Sequence, residues 1–154
     1  MILDAHATHQ LCKDKHNCYS MKITTRVLYR DTDRAGVVYY ANYLVWFEMG
    51  RAEYMRSAGY SYDELEKQDY VMPVIESYCK YYAPAFYDEI IAIETLMQEI
   101  NKYKITFHYR IFRHSDDKLL AEGYTIHAST NSNLKVRMLP ESLIDHLQHF
   151  DGKK

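Results

Sequence analysis

One segment of this chain, residues 42–58, has the spacing of a helix that is apolar on almost every side. Four residues share one face at helical spacing: Tyr43, Phe47, Gly50 and Tyr54. Val45 and Trp46 extend the apolar surface around the first half of the helix, and Gly59 is placed to end it. A helix of this kind is normally covered by other elements, so we expect it to be buried on most sides.

The segments before and after this helix alternate every second residue, which is typical of half-buried strands. A first strand runs from about residue 21 to the turn at residues 31–36, and further strands are predicted at 71–82, 89–100, 102–113 and 118–130. A capping box of Ser61 and Glu64 predicts a short helix to about Gln68, and Pro140 begins a last amphipathic helix. The expected fold class is α+β, with the helix laid on an antiparallel sheet of about five strands.

The 154 residues suffice for one domain, for which we expect three parts. These are a mobile N-terminal extension (residues 1–20), the main domain (21–139), and a C-terminal helix and tail (140–154). The formal charge of −2 gives no basic excess for nucleic acid, and the longest near-apolar run, residues 37–47, is too short to span a bilayer. The N-terminus has no apolar stretch of a secretory signal, and three cysteines do not make a disulfide framework, so a cytoplasmic location is expected.

Several potential metal ligands occur near the N-terminus: His6, His9, Cys12, His16 and Cys18. No pair among them has the two-residue spacing between cysteines that is typical of a zinc site. A polar chain terminus explains them more simply, so no metal site is predicted.

Two aspartates, Asp31 and Asp33, lie in the turn between the first strand and the helix. Aspartates in turns usually accept hydrogen bonds from nearby backbone amides, which is the structural explanation for both. The helix that begins just downstream, near Tyr40 to Asn42, offers unpaired N–H groups and the positive end of its dipole. This combination favours a carboxylate acting beside an oxyanion site.

At these residues the chain resembles a known family. The segment Tyr29-Arg-Asp-Thr-Asp-Arg-Ala-Gly-Val-Val-Tyr-Tyr-Ala-Asn-Tyr-Leu44, with Phe47-Glu48 and Arg51-Ala-Glu53, resembles the 4-hydroxybenzoyl-CoA thioesterase family of hotdog-fold acyl-CoA thioesterases, including its Tol-Pal-associated branch. Tyr81-Tyr-Ala-Pro84 and Asp88 match as well, so the resemblance covers about residues 22–140. Members of the Tol-Pal-associated branch carry His where this chain has Tyr40, whereas the 4-hydroxybenzoyl type carries Tyr.

The resemblance implies a hotdog fold, in which an antiparallel sheet wraps a long central helix, and active sites at the interface of a homodimer or homotetramer. It implies an acyl-CoA substrate and no cofactor, because coenzyme A is part of the substrate. It places the catalytic carboxylate on Asp33 and the backbone amide that polarises the thioester carbonyl on Tyr40. Substrate contacts are expected from Gly36, Val37, Val38, Tyr39 and Tyr43.

The expected reaction is thioester hydrolysis. A thiol with a pKa of about 8.5 leaves as thiolate without a strong general acid. Asp33 either activates water as a general base or attacks to form a mixed anhydride, and the sequence leaves both open. It also leaves open whether the acyl group is short, long or aromatic, and whether coenzyme A or a carrier protein bears it.

Two other functions remain as alternatives. One is a non-catalytic module that binds acyl-CoA or acyl-carrier protein. The other is a hotdog dehydratase, against which the histidines count, because all eight fall before Asn17 or after Ile105.

The remaining candidates have simpler structural interpretations. We expect Glu48 to pair with Arg51 one helical turn away, Asn42 to cap the helix, and Cys79 to be a buried small residue. The chain holds 16 tyrosines, eleven of them between Tyr39 and Tyr87. Those on or beside the following strand, Tyr78, Tyr81, Tyr82 and Tyr87, are interpreted as aromatic pairs that stabilise the sheet.

Overall fold

The computed structural model of this protein describes residues 19–150 and residue 152. Residues 1–18 of the predicted extension lie outside the described residues, as do the potential ligands His6, His9, Cys12, His16 and Cys18. In chain order the elements are β1 (Ser20–Arg26), a 3-10 turn (Tyr29–Asp31), α1 (Asn42–Ser57), α2 (Tyr62–Lys67), β2 (Val74–Tyr81), β3 (Ile90–Ile100), β4 (Lys104–Arg113), β5 (Leu119–Ala128) and α3 (Glu141–His149).

The five strands form one antiparallel sheet in the order β1-β3-β4-β5-β2. The three consecutive strands β3, β4 and β5 pair through short turns and make the centre, whereas β1 and β2 form the two edges. The predicted α+β class with a five-stranded antiparallel sheet is confirmed. One feature of the order matters for the site: the strand that follows α1 and α2 in sequence, β2, is an edge strand.

Helix α1 packs closely against the sheet because glycine allows the approach. A Cβ atom on Gly50 would lie 2.2 Å from Oγ1 of Thr95 on β3. The ring of Phe47 stacks on Tyr109 of β4, with 4.2 Å between ring centroids. Buried side chains on both sides of this contact, including Ile93, Ile111 and Leu120, form the core.

Among residues 19–150, helix α1 is covered by the sheet on one side. It has 16 residues, and Leu44, Val45 and Met49 are 39%, 52% and 36% exposed. The described residues therefore do not bury the helix on most sides as expected, and a long helix wrapped by the sheet is not confirmed.

Two helix ends follow the sequence signals, whereas the end of the first strand does not. Gly59 adopts φ +84 after α1, and Ser61 and Glu64 form the predicted capping box of α2. Strand β1 ends at Arg26 rather than at residue 31, because Tyr29–Asp31 turns as a 3-10 helix. Within residues 19–150, none of the helices combines the length and the apolar character needed to cross a membrane.

Two side-chain interpretations were wrong. Asn42 does not cap α1: the capping position is Ala41, which provides no side-chain hydrogen bond. Arg51 forms no ion pair with Glu48; both lie near Tyr62, whose pKa is raised by burial and lowered by the Arg51 charge.

Candidate active site

A cavity of about 370 Å³ lies where the turn at residues 31–38, the start of α1 and the end of β2 meet. Its lining residues are Asp33, Val37, Val38, Tyr40, Tyr43, Tyr81, Tyr82, Ala83 and Pro84. The structure thus brings together five of the seven residues selected from the sequence. The other two lie beside the cavity rather than in its lining: Gly36 completes the turn with φ +79, and Tyr39 packs its ring against Tyr40.

The turn that carries Asp33 is fixed by its own backbone. The Asp33 N–H donates to the carbonyl of Val37 at 2.9 Å, and the Gly36 N–H donates to the carbonyl of Asp33 at 3.0 Å. One carboxylate oxygen, Oδ1, accepts the N–H of Ala35 at 2.7 Å. Within the described part of the chain, the second oxygen, Oδ2, forms no hydrogen bond and is available for a substrate or a water. Asp33 therefore accepts the backbone hydrogen bond expected of an aspartate in a turn, and this bond uses only one of its two carboxylate oxygens.

Asp31 has a different role. Its Oδ2 accepts the Leu28 N–H at 2.8 Å, which closes the 3-10 turn. Its carbonyl accepts both the Tyr39 N–H at 2.8 Å and the Nδ2–H of Asn42 at 2.7 Å. Asp31 therefore holds the turn against the start of α1, and Asn42 is the side chain through which the helix is attached.

The start of α1 presents two backbone donors. The carbonyl of Tyr39 already accepts the Asn42 N–H at 2.9 Å, so the helical hydrogen bonds begin there. Among residues 19–150, neither the Tyr40 N–H nor the Ala41 N–H has an acceptor. Unpaired amides at the positive end of a helix dipole are suited to holding a developing negative charge.

An aromatic wall closes one side of the cavity. Tyr43 is only 2% exposed and contacts Trp46 and Tyr81 edge-on, with ring centroids 4.8 and 5.0 Å apart. Burial raises the pKa of Tyr43, so its hydroxyl is neutral in the physiological range. The Tyr81 hydroxyl donates to the carbonyl of Tyr40 at 2.9 Å.

Four lining residues were missed by sequence reasoning: Tyr81, Tyr82, Ala83 and Pro84. Tyr81 and Tyr82 were interpreted as sheet aromatics, whereas both line the cavity. The Tyr81-Tyr-Ala-Pro84 match could have identified them, because it supports the family resemblance in the same way as the match around Asp33. The Tyr82 hydroxyl also bonds to Glu122, which raises the pKa of Tyr82 to about 12.

A second concavity, of about 520 Å³, runs between α1 and β1. Val45, Met49 and Ile23 make it partly apolar, and Glu48 and Glu53 are its carboxylates. It contains no unpaired helix amide, because it lies along the middle of α1. The cavity at Asp33 is therefore the better candidate for chemistry.

Comparisons with known proteins identify the family of the chain. Residues 27–147 match the model of the thioesterase-like superfamily. An Escherichia coli protein named acyl-CoA thioester hydrolase YbgC is 32% identical over 120 residues, which cover 77% of this chain and 89% of that protein.

Solved structures show the same fold. The crystal structure of a hypothetical protein from Thermus thermophilus superposes with a TM-score of 0.77 at 30% identity, over 82% of this chain and 95% of that chain. A 4-hydroxybenzoyl-CoA thioesterase superposes with a TM-score of 0.74 over 83% of this chain and 98% of that chain, and its 21% identity carries the fold alone.

Proposed function

Because this chain belongs to the thioesterase-like superfamily and has its hotdog fold, we propose that it hydrolyses acyl-CoA thioesters at the cavity beside Asp33. The observation that carries the proposal is that one cavity is lined both by Asp33, whose Oδ2 atom has no hydrogen bond within residues 19–150, and by Tyr40, whose N–H has no acceptor there. Among the relatives, the Escherichia coli protein is named for the same activity.

Asp33 is the acid–base or nucleophilic group of the proposed reaction. As a general base it takes a proton from water, the water oxygen bonds to the thioester carbon, and the C–S bond then breaks to release thiolate. As a nucleophile, its free oxygen bonds to that carbon, thiolate leaves, and water opens the resulting anhydride. The hydrogen bond from Ala35 fixes the carboxylate for either route.

The Tyr40 N–H is the donor to the thioester oxygen. That oxygen gains charge as the carbonyl carbon becomes tetrahedral, and a fixed donor at a helix start stabilises the charge without reorganising. Tyr40 lines the cavity and is 61% exposed.

We also propose that two copies pair through β2. This strand is a free edge of the sheet, and Val74, Ile75 and Tyr78 leave large apolar surfaces exposed on it. Unpaired strand edges of this kind are templates for pairing with a second strand. Since β2 ends at Tyr81 in the cavity wall, a partner strand there borders the site.

The decisive experiment is a thiol-release assay on acetyl-, octanoyl- and benzoyl-CoA with wild type and Asp33→Asn. Asparagine keeps an oxygen for the Ala35 N–H, so the turn is retained while the base is lost. We expect turnover to fall by about 100-fold or more. The matched control is Asp116→Asn, because Asp116 also accepts a backbone N–H two residues ahead, that of Lys118, and lies in a different turn.

The outcomes separate the alternatives. Tight binding of acyl-CoA without any turnover by wild type indicates a binding module, and full activity of Asp33→Asn contradicts the role of the carboxylate. A single turnover in ¹⁸O-labelled water tests for one form of the nucleophilic route. A first product acid without ¹⁸O shows an anhydride opened at the Asp33 carbonyl, whereas ¹⁸O in that product is expected both for a general base and for an anhydride opened at the acyl carbonyl.

A further inference from the structure

The hydrogen bond from Tyr81 to Tyr40 joins an edge strand to the start of α1, across 41 residues of sequence. Tyr81 is the last residue of β2, and its ring lies edge-on against the buried ring of Tyr43. The hydroxyl therefore reaches the Tyr40 carbonyl from a position that is fixed by packing.

This carbonyl belongs to the same peptide unit as the Ala41 N–H. A hydrogen bond accepted by a peptide oxygen draws electron density toward it and makes the N–H of that unit a stronger donor. The Ala41 N–H has no acceptor within residues 19–150, and it directly follows the unpaired Tyr40 N–H. Successive N–H groups at a helix start point along the helix axis in the same direction.

Different groups donate to the carbonyls of the two peptide units that carry these N–H groups. The Tyr40 N–H belongs to the peptide whose carbonyl, that of Tyr39, accepts the Asn42 N–H at 2.9 Å. The peptide of the Ala41 N–H receives only a long bond of 3.4 Å from the Tyr43 N–H within the helix. The Tyr81 hydroxyl supplies the shorter bond of 2.9 Å.

We propose that Tyr81 is a positioning residue of the thioesterase site: its hydroxyl fixes and polarises the Tyr40–Ala41 peptide, which then offers the Ala41 N–H as a second donor to the thioester oxygen. This inference rests on the proposed hydrolysis and adds a residue and a donor to it. Burial and the neighbouring Cys79 raise the pKa of Tyr81, so the hydroxyl keeps the proton that it donates.

The first test is the kinetics of Tyr81→Phe. We expect kcat to fall about 5- to 20-fold with KM within about twofold, a smaller loss than the 100-fold or more for removing a donor outright. Tyr124→Phe is the control, because it removes a tyrosine hydroxyl that bonds to Glu76 elsewhere on the same sheet. An unchanged kcat, or a change in KM alone, overturns the inference.

The second test is spectroscopic and does not depend on turnover. The fastest substrate of the three acyl-CoA compounds, labelled with ¹³C at the thioester carbonyl, is bound to Asp33→Asn. Donors at the oxygen lower the carbonyl stretching frequency, and we expect this lowering to be smaller in Asp33→Asn/Tyr81→Phe. A purely structural role for Tyr81 leaves the frequency where it was.

A third variant covers the case in which Tyr81→Phe does not fold. Placing 3-fluorotyrosine at position 81 keeps the hydroxyl and makes it more acidic, so the frequency is expected to fall further and kcat not to decrease. An unshifted frequency in this variant overturns the inference. Failure of wild type to hydrolyse any of the three compounds contradicts the proposed function instead, which keeps the two failures distinct.

Discussion

The ring of Phe47 lies parallel to the ring of Tyr109, at an interplanar angle of 6° and with 4.2 Å between centroids. This stack attaches α1 to the middle of the sheet. It requires Gly123 on β5, because a Cβ there would lie 2.9 Å from the Phe47 ring and 2.1 Å from the backbone carbonyl oxygen of Tyr78.

We therefore expect Gly123→Ala to lower the free energy of unfolding by about 2–3 kcal/mol, the cost of overpacking a site whose neighbour is backbone. Gly59→Ala is the matched control, since no atom lies within 4 Å of its added Cβ and only the positive φ opposes it, at about 1 kcal/mol. Urea titration of both variants measures the difference. Equal losses would show that the crowding at Gly123 is relieved at little cost.

Replacing Tyr40 by proline removes the proposed donor together with the Tyr40 ring, which lines the cavity, so Tyr40→Ala is needed to measure the loss of the ring alone. Proline is tolerated in the first turn of a helix, where its missing N–H leaves no helical bond unmade. We expect Tyr40→Pro to lose about 100-fold in kcat, and Tyr40→Ala, which keeps the N–H, to change mainly KM. Steady-state kinetics measure the activity of the two variants, and circular dichroism checks their folding. An active proline variant would contradict the role of the Tyr40 N–H.

Asn42→Ala tests the attachment of the helix start to the turn. Its Nδ2–H donates to the carbonyl of Asp31 at 2.7 Å in a partly buried place. Loss of this bond should cost about 1 kcal/mol of unfolding free energy and reduce kcat, because the turn that carries Asp33 is no longer tied to α1. Urea titration and thiol release are the measurements, and unchanged kcat would mean that the remaining backbone bonds suffice.

The pH dependence of stability should report the buried His127. Its Nε2 accepts from Thr125 at 2.8 Å and its Nδ1–H donates to the Met72 carbonyl at 3.0 Å, which suits a neutral ring. Burial lowers the pKa of His127 to about 4, against about 6.5 in the unfolded chain. Between these values the unfolded chain binds the extra proton, so stability is complete above pH 6.5 and falls as pH decreases toward 4.

The expected loss attributable to His127 is about 2–3 kcal/mol across that interval. His127→Gln should be less stable at pH 8 but should lose less on acidification than wild type. Burial also lowers the pKa of His108, and because this residue is present in both proteins the comparison isolates His127. Equal slopes of unfolding free energy against pH would contradict the assignment.

Ile75→Lys tests the proposed pairing through β2. Ile75 is 52% exposed on the edge strand, and a lysine there places a charge where a partner strand would lie. We expect sedimentation to show a dimer or tetramer for wild type and a monomer with reduced turnover for the variant. Val136→Lys is the control, since Val136 is also exposed, at 70%, but lies outside the five strands.

Features that depend on neighbouring residues were predictable from the sequence. Ser61 and Glu64 sit three residues apart, and their capping box forms as expected because it needs nothing beyond one helical turn. The two-residue alternation likewise agrees with the buried face of β4, which holds Ile105, Phe107, Tyr109 and Ile111. Tyr103 continues the same alternation but precedes the strand and is 46% exposed. The order of strands was not accessible, since pairing joins segments that are far apart in sequence.

The same distinction holds at the candidate site. Asp33 and Tyr40 were identified together because one short segment carries both. Tyr81 was assigned to the sheet alone, because its contact with Tyr40 depends on β2 being the edge strand that ends beside the helix start. Asn42 was misinterpreted for a related reason: its side chain donates to the carbonyl of Asp31, eleven residues earlier, and this contact depends on how the turn folds against α1.

The unpaired amide of Tyr40 belongs to the main chain. A catalytic side chain must both supply the reacting group and fit the substrate, whereas at this position the main chain supplies the donor and the side chain only has to fit the substrate. Nineteen of the twenty residue types supply the same N–H, so the ring that projects from this position can be exchanged without discarding the donor. In the proposed reaction, position 40 is therefore free to adapt to a different acyl group while the polarising contact persists. New substrates can then be reached by single substitutions that pass through no inactive intermediate.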